Sequence, residues 1–261
     1  MSTDPASAAF EPVDASAQLT PCVRFDGVSV VAEGGAADGW ALSFALAPGS
    51  FHRLTGASAP LRSALLRQIA LAQPPARGLF QLFGRDVSSV GRDERVALRR
   101  RIGSAFGPPR FIDHLSVWDN AALVPRIAGR ALADYRPQVD EVLAWVGLGR
   151  LSDGLPSVLD PAQKARLALA RAIAGRPEIL VIDDLAEELA GEAPAAANAD
   201  VPRLLTEIHR AGITVIAAGA DPAAAARSAY PVLHLQDGRA TALESSLQAP
   251  GAQGPIISAP S

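Results

Sequence analysis

The chain has 261 residues, of which 49% are hydrophobic, and a formal net charge of −3. It is long enough to bury a large core as one domain, and its weak negative charge gives no support for a nucleic-acid-binding surface. The single cysteine, Cys22, excludes a disulfide framework and a thiolate metal cluster.

Both ends of the chain are predicted to be disordered tails. Residues 1–20 and 246–261 contain few bulky apolar residues and are rich in Ala, Ser, Pro and Gly. The first tail lacks the positively charged segment and apolar core of a signal peptide, and no apolar run approaches the roughly 20 residues that span a bilayer. We therefore expect a cytoplasmic protein with one folded domain at residues 21–245.

The first half of the folded region is predicted to alternate strands and helices. The expected elements, in chain order, are strands at Val23–Val31, Trp40–Leu46 and Phe51–Leu54, a loop at Thr55–Leu61, a helix from about Arg62 to Ala72, a strand at Gly78–Leu82, a basic helix at Glu94–Arg101 and helical structure from Leu115 to Arg150.

The second half opens with a strong helix start. Asp160 is a suitable N-cap, Pro161 suits the first helical position and Gln163 stands where a capping-box acceptor would. This helix is expected to run to Ala174, and the elements after it are a strand at Ile179–Ile182, a helix at Val201–Ala211, a strand at Ile213–Ala217 and a strand pair from Val232 across Asp237-Gly238. Such repeated units predict a mostly parallel α/β sheet, and the N-terminal strands predict an antiparallel β flank. The Ala-rich stretch 193–200 is interpreted as a loop insertion.

One strand-to-helix junction, Leu54–Ser63, is a candidate phosphate loop. Such a loop follows Gly-x-x-x-x-Gly-Lys-Ser/Thr: its amides surround the phosphates, its lysine reaches the outer phosphates and its hydroxyl binds magnesium. In this register Gly56 and Ser63 fit, whereas Leu61 replaces the second glycine and Arg62 replaces the lysine. Taken alone, the segment fits an ordinary turn better than a phosphate loop.

Residues 22–243 as a whole resemble the ATP-binding subunit of an ABC transporter, and within that family the cell-division subunits of the FtsE type. Besides the loop, the resemblance rests on Leu98–Gly103, Leu115–Leu123, Ala168–Asp183 and Val232–Arg239. It implies a P-loop NTPase fold of the ABC ATPase type, with a mostly parallel sheet, an antiparallel β flank and a helical subdomain at about residues 107–160.

The resemblance also implies ATP and Mg2+ as ligands, with ATP held between two subunits. The implied nucleotide contacts are Gly56, Ser58, Arg62 and Ser63, and the implied metal contacts are Ser63 and Asp183. Asp184 stands at the position of the catalytic glutamate and is one methylene shorter, so we interpret it as vestigial. From the residues alone, Asp183 and Asp184 also fit a strand-end turn with solvated carboxylates.

Most other family positions have changed. The phosphate-capping signature, Leu-Ser-Gly-Gly-Gln/Glu, reads Leu159–Gln163 here, and its carboxylate and its proline replace phosphate-binding groups. Gly107 replaces a glutamine, Ala220 stands at the switch histidine, and no aromatic residue lies near Ala32, where adenine would stack; Trp40 is expected in the strand core instead. Because several transition-state groups are missing together, we expect hydrolysis close to background and weak or lost nucleotide binding.

The stretch Phe111–Ala128, which forms the groove for the membrane partner in this family, still looks family-like. We therefore expect a weakly hydrolysing FtsE-like subunit that docks on an FtsX-like membrane protein or a permease subunit, as a homodimer or heterodimer, at the inner face of the plasma membrane. Two alternatives stay open: an active ABC transporter ATPase subunit, and the degenerate half of an ABC heterodimer. No nucleic-acid partner is expected.

Two smaller patterns leave their interpretation open. The basic run Arg99–Arg101 fits a solvated face, or a contact for the membrane partner or for anionic lipid. The histidines show no metal-ligand spacing and are interpreted as structural or surface residues, namely His52, His114, His209 and His234.

Overall fold

A computed structural model describes residues 20–32, 40–74, 77–183, 200–218 and 230–243 of the chain. Several predictions fall outside these ranges: the two tails apart from Thr20, the Ala-rich stretch up to residue 199, and the positions of Asp184 and Ala220. In the part of the chain that is described, no helix is both long enough and apolar enough to span a membrane.

The larger sheet has six strands in the order β10-β9-β3-β8-β7-β6. Its strands are β3 (Phe51–Gly56), β6 (Ile102–Phe106), β7 (Ile179–Asp183), β8 (Thr214–Ala218), β9 (Val232–Gln236) and β10 (Arg239–Leu243). Every neighbouring pair is parallel except the β9–β10 hairpin. Strands β7 and β8 are buried at every position, as expected for a parallel sheet covered on both faces. The predicted mostly parallel sheet is confirmed.

The smaller sheet has four strands in the order β2-β1-β4-β5. Its strands are β1 (Val23–Val30), β2 (Trp40–Leu46), β4 (Leu79–Leu82) and β5 (Arg85–Asp86), and all its pairs are antiparallel. Phe25 is its aromatic centre, with ring centroids 4.8 Å from Phe44 and 4.6 Å from Phe80. The predicted antiparallel flank is confirmed, and Trp40 packs against the core of this sheet.

The α-helices within the described residues are α1 (Ala59–Ile69), α2 (Arg92–Arg100), α3 (Val117–Ala121), α4 (Leu123–Ile127), α5 (Leu132–Trp145), α6 (Pro161–Ile173) and α7 (Asp200–Arg210). Helices α3, α5 and α6 share a hydrophobic core of their own, which includes Val117, Val139, Leu143 and Leu167. This core lies between β6 and β7 along the chain; its α3 and α5 residues fall within the predicted helical subdomain at about 107–160, and its α6 residues lie beyond it.

The predicted start of α1 at Arg62 was wrong. The helix begins at Ala59 and β3 extends to Gly56, so only Ala57 and Ser58 remain of the predicted loop. Proline is tolerated in the first helical turn, where an N–H has no helical partner, and Pro60 occupies that turn. Leu61 then lies inside the helix and is buried in the main core.

Candidate nucleotide site

The candidate site lies at the carboxyl edge of the larger sheet. Strands β3 and β7 both pair in parallel with β8, so the loop after β3 and the end of β7 reach the same edge. Gly107 follows β6 there, and its N–H donates to the carbonyl oxygen of Asp183 at 3.0 Å. Ligands of open α/β sheets bind at this edge. The fold therefore places the predicted loop, Asp183 and Gly107 along one side of the molecule.

Position 56 requires glycine because its backbone has a positive φ and lies close to strand β9. Its φ is +70°, and a Cβ at this position would lie 2.2 Å from the carbonyl oxygen of Leu235. That carbonyl accepts a hydrogen bond from the N–H of Ala57 at 2.8 Å. The neighbouring Thr55 Oγ1 lies 3.1 Å from Nδ1 of His234. The start of the loop is thereby fastened to β9.

The backbone amides of the loop are largely engaged within the protein. The N–H groups of Leu61 and Arg62 both donate to the carbonyl oxygen of Ser58 at 3.1 Å, and the N–H of Ala57 is bonded to β9. Pro60 has no N–H. Four of the six positions from Ala57 to Arg62 thus present no free amide, whereas a phosphate cradle consists of free amides.

Arg62 folds back onto its own loop. Its side chain is buried, with 7% relative exposure. One terminal nitrogen donates to the carbonyl oxygens of Gly56 at 2.9 Å and Ala57 at 3.0 Å, while Nε has no hydrogen-bond partner among the described residues. The cation at the lysine position therefore closes the loop instead of extending from it.

The remaining predicted contacts lie along the same edge. Ser58 is exposed at the N-cap of α1 and its side chain makes no capping hydrogen bond. Ser63 is half-buried in α1, and Asp183 is buried at the end of β7 with 4% exposure. The described residues contain no group of three or more His, Cys, Asp or Glu side chains that could hold a metal ion. The predicted magnesium contacts are thus one hydroxyl and one carboxylate, and Mg2+ is usually held by one or two carboxylates together with substrate phosphates.

The amino end of α6 is closed by its own side chains. The Asp160 carboxylate accepts from the N–H of Gln163 at 2.7 Å, and Gln163 Oε1 accepts from the N–H of Asp160 at 3.0 Å. The predicted capping box, with Pro161 in the first turn, is confirmed. A carboxylate at a helix N-terminus is attracted by the positive end of the helix dipole, and it repels a second anion.

Sequence reasoning missed the role of Asn120. This residue is 0% exposed; its Oδ1 accepts from the N–H of Ile112 at 2.9 Å, and its Nδ2 donates to the carbonyl oxygens of Ile112, Leu115 and Ser116. It therefore holds the loop before α3 in one shape. The sequence carries one weak signal for this role: the amide side chain of Asn120 directly precedes Ala121, which is buried, and a buried amide needs hydrogen-bond partners.

The predicted basic run does not act as one unit. The Arg101 guanidinium donates twice to the carboxylate of Glu178 and lies 3.5 Å from the ring centroid of Phe83. These hydrogen bonds lower the pKa of Glu178 and raise the pKa of Arg101. Arg99 and Arg100, in contrast, are exposed on α2.

Taken together, a strand–loop–helix unit at the edge of a largely parallel sheet, with helices between β6 and β7, defines a P-loop NTPase of the ABC ATPase type. CbiO1 from Clostridium perfringens, whose structure is described as part of the ABC transporter complex CbiONQ, has this fold. The two structures match with a TM-score of 0.67 over 85% of this chain and 87% of CbiO1, at 19% identity.

The sequence comparison identifies the family. Residues 41–187 match the ABC transporter family, and the chain belongs to it. The chain is 32% identical to the cell division ATP-binding protein FtsE of Escherichia coli K12 over 216 residues, which cover 83% of this chain and 96% of FtsE. It is also 32% identical to the macrolide export ATP-binding/permease protein MacB of Chromobacterium violaceum over 226 residues, or 83% of this chain and 34% of MacB. ABC ATPase subunits bind ATP with Mg2+, dimerise and work with membrane permease components.

Proposed function

We propose that this chain is an FtsE-like ATP-binding subunit that docks on an FtsX-like membrane protein, and that it hydrolyses ATP weakly or not at all. The chain is similar to FtsE over 96% of the length of FtsE, and this similarity supports an FtsE-like role. One observation carries the loss of hydrolysis: Arg62 is bonded to the carbonyls of Gly56 and Ala57, in a loop whose amides are mostly engaged.

A triphosphate and this loop conformation exclude each other. Phosphate binding needs free amides and a compact cation at the lysine position. To provide them, Arg62 would have to release two carbonyls, and the first turn of α1 would have to unwind and withdraw Leu61 from the core. Hydrogen bonds from a charged donor contribute about 1.5–3 kcal/mol each. Opening the loop therefore weakens nucleotide binding by a factor on the order of 10² or more.

The other half of a dimeric ATP site, which the second subunit supplies, would also be unfavourable for phosphate binding. In this family the signature helix of one subunit caps the γ-phosphate held by the other, and here that helix presents the Asp160 carboxylate. Each preorganised transition-state donor typically contributes a factor of about 10²–10³ to the rate. Residual nucleotide binding, where it occurs, would use Gly56, Ser58, Arg62 and Ser63, with magnesium on Ser63 and Asp183.

The direct test combines nucleotide binding and phosphate release on the purified full chain. We expect weak binding of a fluorescent ATP analogue and turnover below about 0.1 s⁻¹, against a typical enzyme value near 10 s⁻¹. The double variant Leu61→Gly/Arg62→Lys should bind the analogue more tightly, because it removes the guanidinium that closes the loop. Arg67→Lys, a charge-preserving change on the same helix, serves as its control. Brisk turnover by the wild type would contradict the proposed loss of hydrolysis.

Docking on a membrane partner is supported by the loop that Asn120 holds in place. Ile112 in this loop and Ile127 at the end of α4 are large apolar residues with 38% and 75% exposure, so both side chains are accessible to a docking partner. Co-purification from membranes with an FtsX-like protein is the expected result, with Ile112→Ser/Ile127→Ser reducing the yield of complex. A second ABC subunit in that complex would favour the heterodimer alternative instead.

A further inference from the structure

Helix α2 concentrates positive charge on one side. Four of its nine residues are arginines and two are acidic. At about 100° per residue, Arg92, Val96 and Arg99 share one side of the helix, and Arg100 lies beside them. We call these four residues the basic face. Glu94 lies on the opposite side of the helix, whereas Asp93 borders the basic face about 20° from Arg100.

The orientation of α2 is fixed by residues outside the basic face. Leu98 is its one buried residue, and Arg95 donates to the carbonyl oxygen of Val87 at 2.8 Å. Glu94 forms an ion pair with Arg85 at 3.5 Å. Directly after the helix, Arg101 is held by its two hydrogen bonds to Glu178. These contacts keep the basic face turned outward.

The arginines of the basic face are available for binding. Arg92, Arg99 and Arg100 are exposed, and their side chains form no hydrogen bond or ion pair with any residue in the described ranges. Val96, between them, is 44% exposed. The chain carries a net charge of −3, so this cluster of three exposed guanidinium groups opposes the overall sign of the protein and forms a local positive field.

We propose that the basic face binds the anionic headgroups of a lipid bilayer. Guanidinium groups pair with phosphate oxygens in a two-pronged geometry, and polybasic segments are attracted to anionic membrane surfaces. The face is about 12 Å long, and no α2 residue lines the cavities of about 150 and 300 Å³ found in the described part of the chain. A convex helix that exposes three arginines and one valine offers no groove for a peptide to enter and can lie flat against a headgroup layer.

Vesicle flotation with the purified full chain tests this interaction. We compare phosphatidylcholine vesicles with vesicles that also contain phosphatidylglycerol, at low and raised salt. Each arginine near an anionic surface contributes about fivefold to partitioning, so Arg92→Gln/Arg99→Gln/Arg100→Gln should bind anionic vesicles about 100-fold more weakly. The wild-type interaction should weaken as salt rises. Replacing the same three arginines by lysine should retain most of the binding.

A matched control separates the basic face from net charge. Arg77, Arg150 and Arg210 are exposed and lie outside α2, and changing all three to Gln alters the net charge by the same amount. This control should float like the wild type. Equal losses in both triple variants, or equal binding of the wild type to neutral vesicles, would overturn the lipid interaction. A third result would also overturn the lipid interaction: the wild type binds only vesicles that carry the membrane partner, and the α2 variant does not bind them. That result would assign the basic face to an acidic protein segment.

Discussion

Acidification should destabilise this protein through His52, a buried residue of β3. The side chain is 0% exposed, its Nε2 lies 2.8 Å from Ser50 Oγ, and its Nδ1 has no hydrogen-bond partner among the described residues. Burial, with a smaller contribution from His209, lowers the pKa of His52 from 6.5 to about 4. Below pH 6.5 the unfolded chain therefore takes up a proton that the folded chain excludes, and folding stability falls as pH drops from 6.5 toward 4.

The size of the effect follows from the two pKa values. The loss of folding free energy is about 2 kcal/mol at pH 5 and approaches about 3 kcal/mol below pH 4. Urea unfolding at pH 7.5 and pH 5 measures it. His52→Gln should shrink the difference between the two pH values by about 2 kcal/mol, even though the variant loses stability at both. His114→Gln, which removes an exposed imidazole, is the control and should follow the wild type. An unchanged pH difference in His52→Gln would refute the assignment to His52.

Three further substitutions test the site geometry. Asn120→Ala leaves four backbone groups of the loop before α3 without their buried partner. It should lower the free energy of unfolding by about 2–4 kcal/mol in a urea titration, with Asn120→Asp recovering part of it; a loss below 0.5 kcal/mol would mean that the loop is held elsewhere. Asp160→Ala should lower the free energy of unfolding by about 1 kcal/mol because the helix cap is lost. In an ATP-analogue titration it should not weaken binding, and a clear loss of affinity would show that the carboxylate contacts the ligand. Gly56→Ala should destabilise the fold by more than about 2 kcal/mol, measured as a fall in Tm, because its Cβ would overlap the carbonyl oxygen of Leu235.

Sequence reasoning was reliable where the controlling interactions are local. Most strands of the larger sheet follow from apolar runs bounded by turn residues, although β6 was not predicted. The β9–β10 hairpin turns at Asp237-Gly238 as expected. The start of α6 follows from Asp160, Pro161 and Gln163, which complete the helix terminus among themselves. Such signals lie within a few residues of one another, so they can be recognised in a single sequence.

The candidate site was harder to predict because its shape depends on distant partners. The loop after β3 keeps Gly56 and Ser63 of the phosphate-loop pattern. The carbonyl oxygen of Leu235 fixes the first amide of this loop, and Leu61 packs into the core as part of α1. The position of the Arg62 guanidinium is a side-chain conformation, which no spacing rule specifies. The basic run was likewise divided by Glu178, which is 77 residues away from Arg101 in the chain.

The capping box of α6 has a consequence for how such a subunit could take part in a complex. Since Asp160 and Gln163 supply the groups that the first turn requires, this helix stays formed at any cellular level of nucleotide. Under the proposed function such a subunit would act as a scaffold, and its influence on an assembly would depend on how many copies are made and where they are recruited.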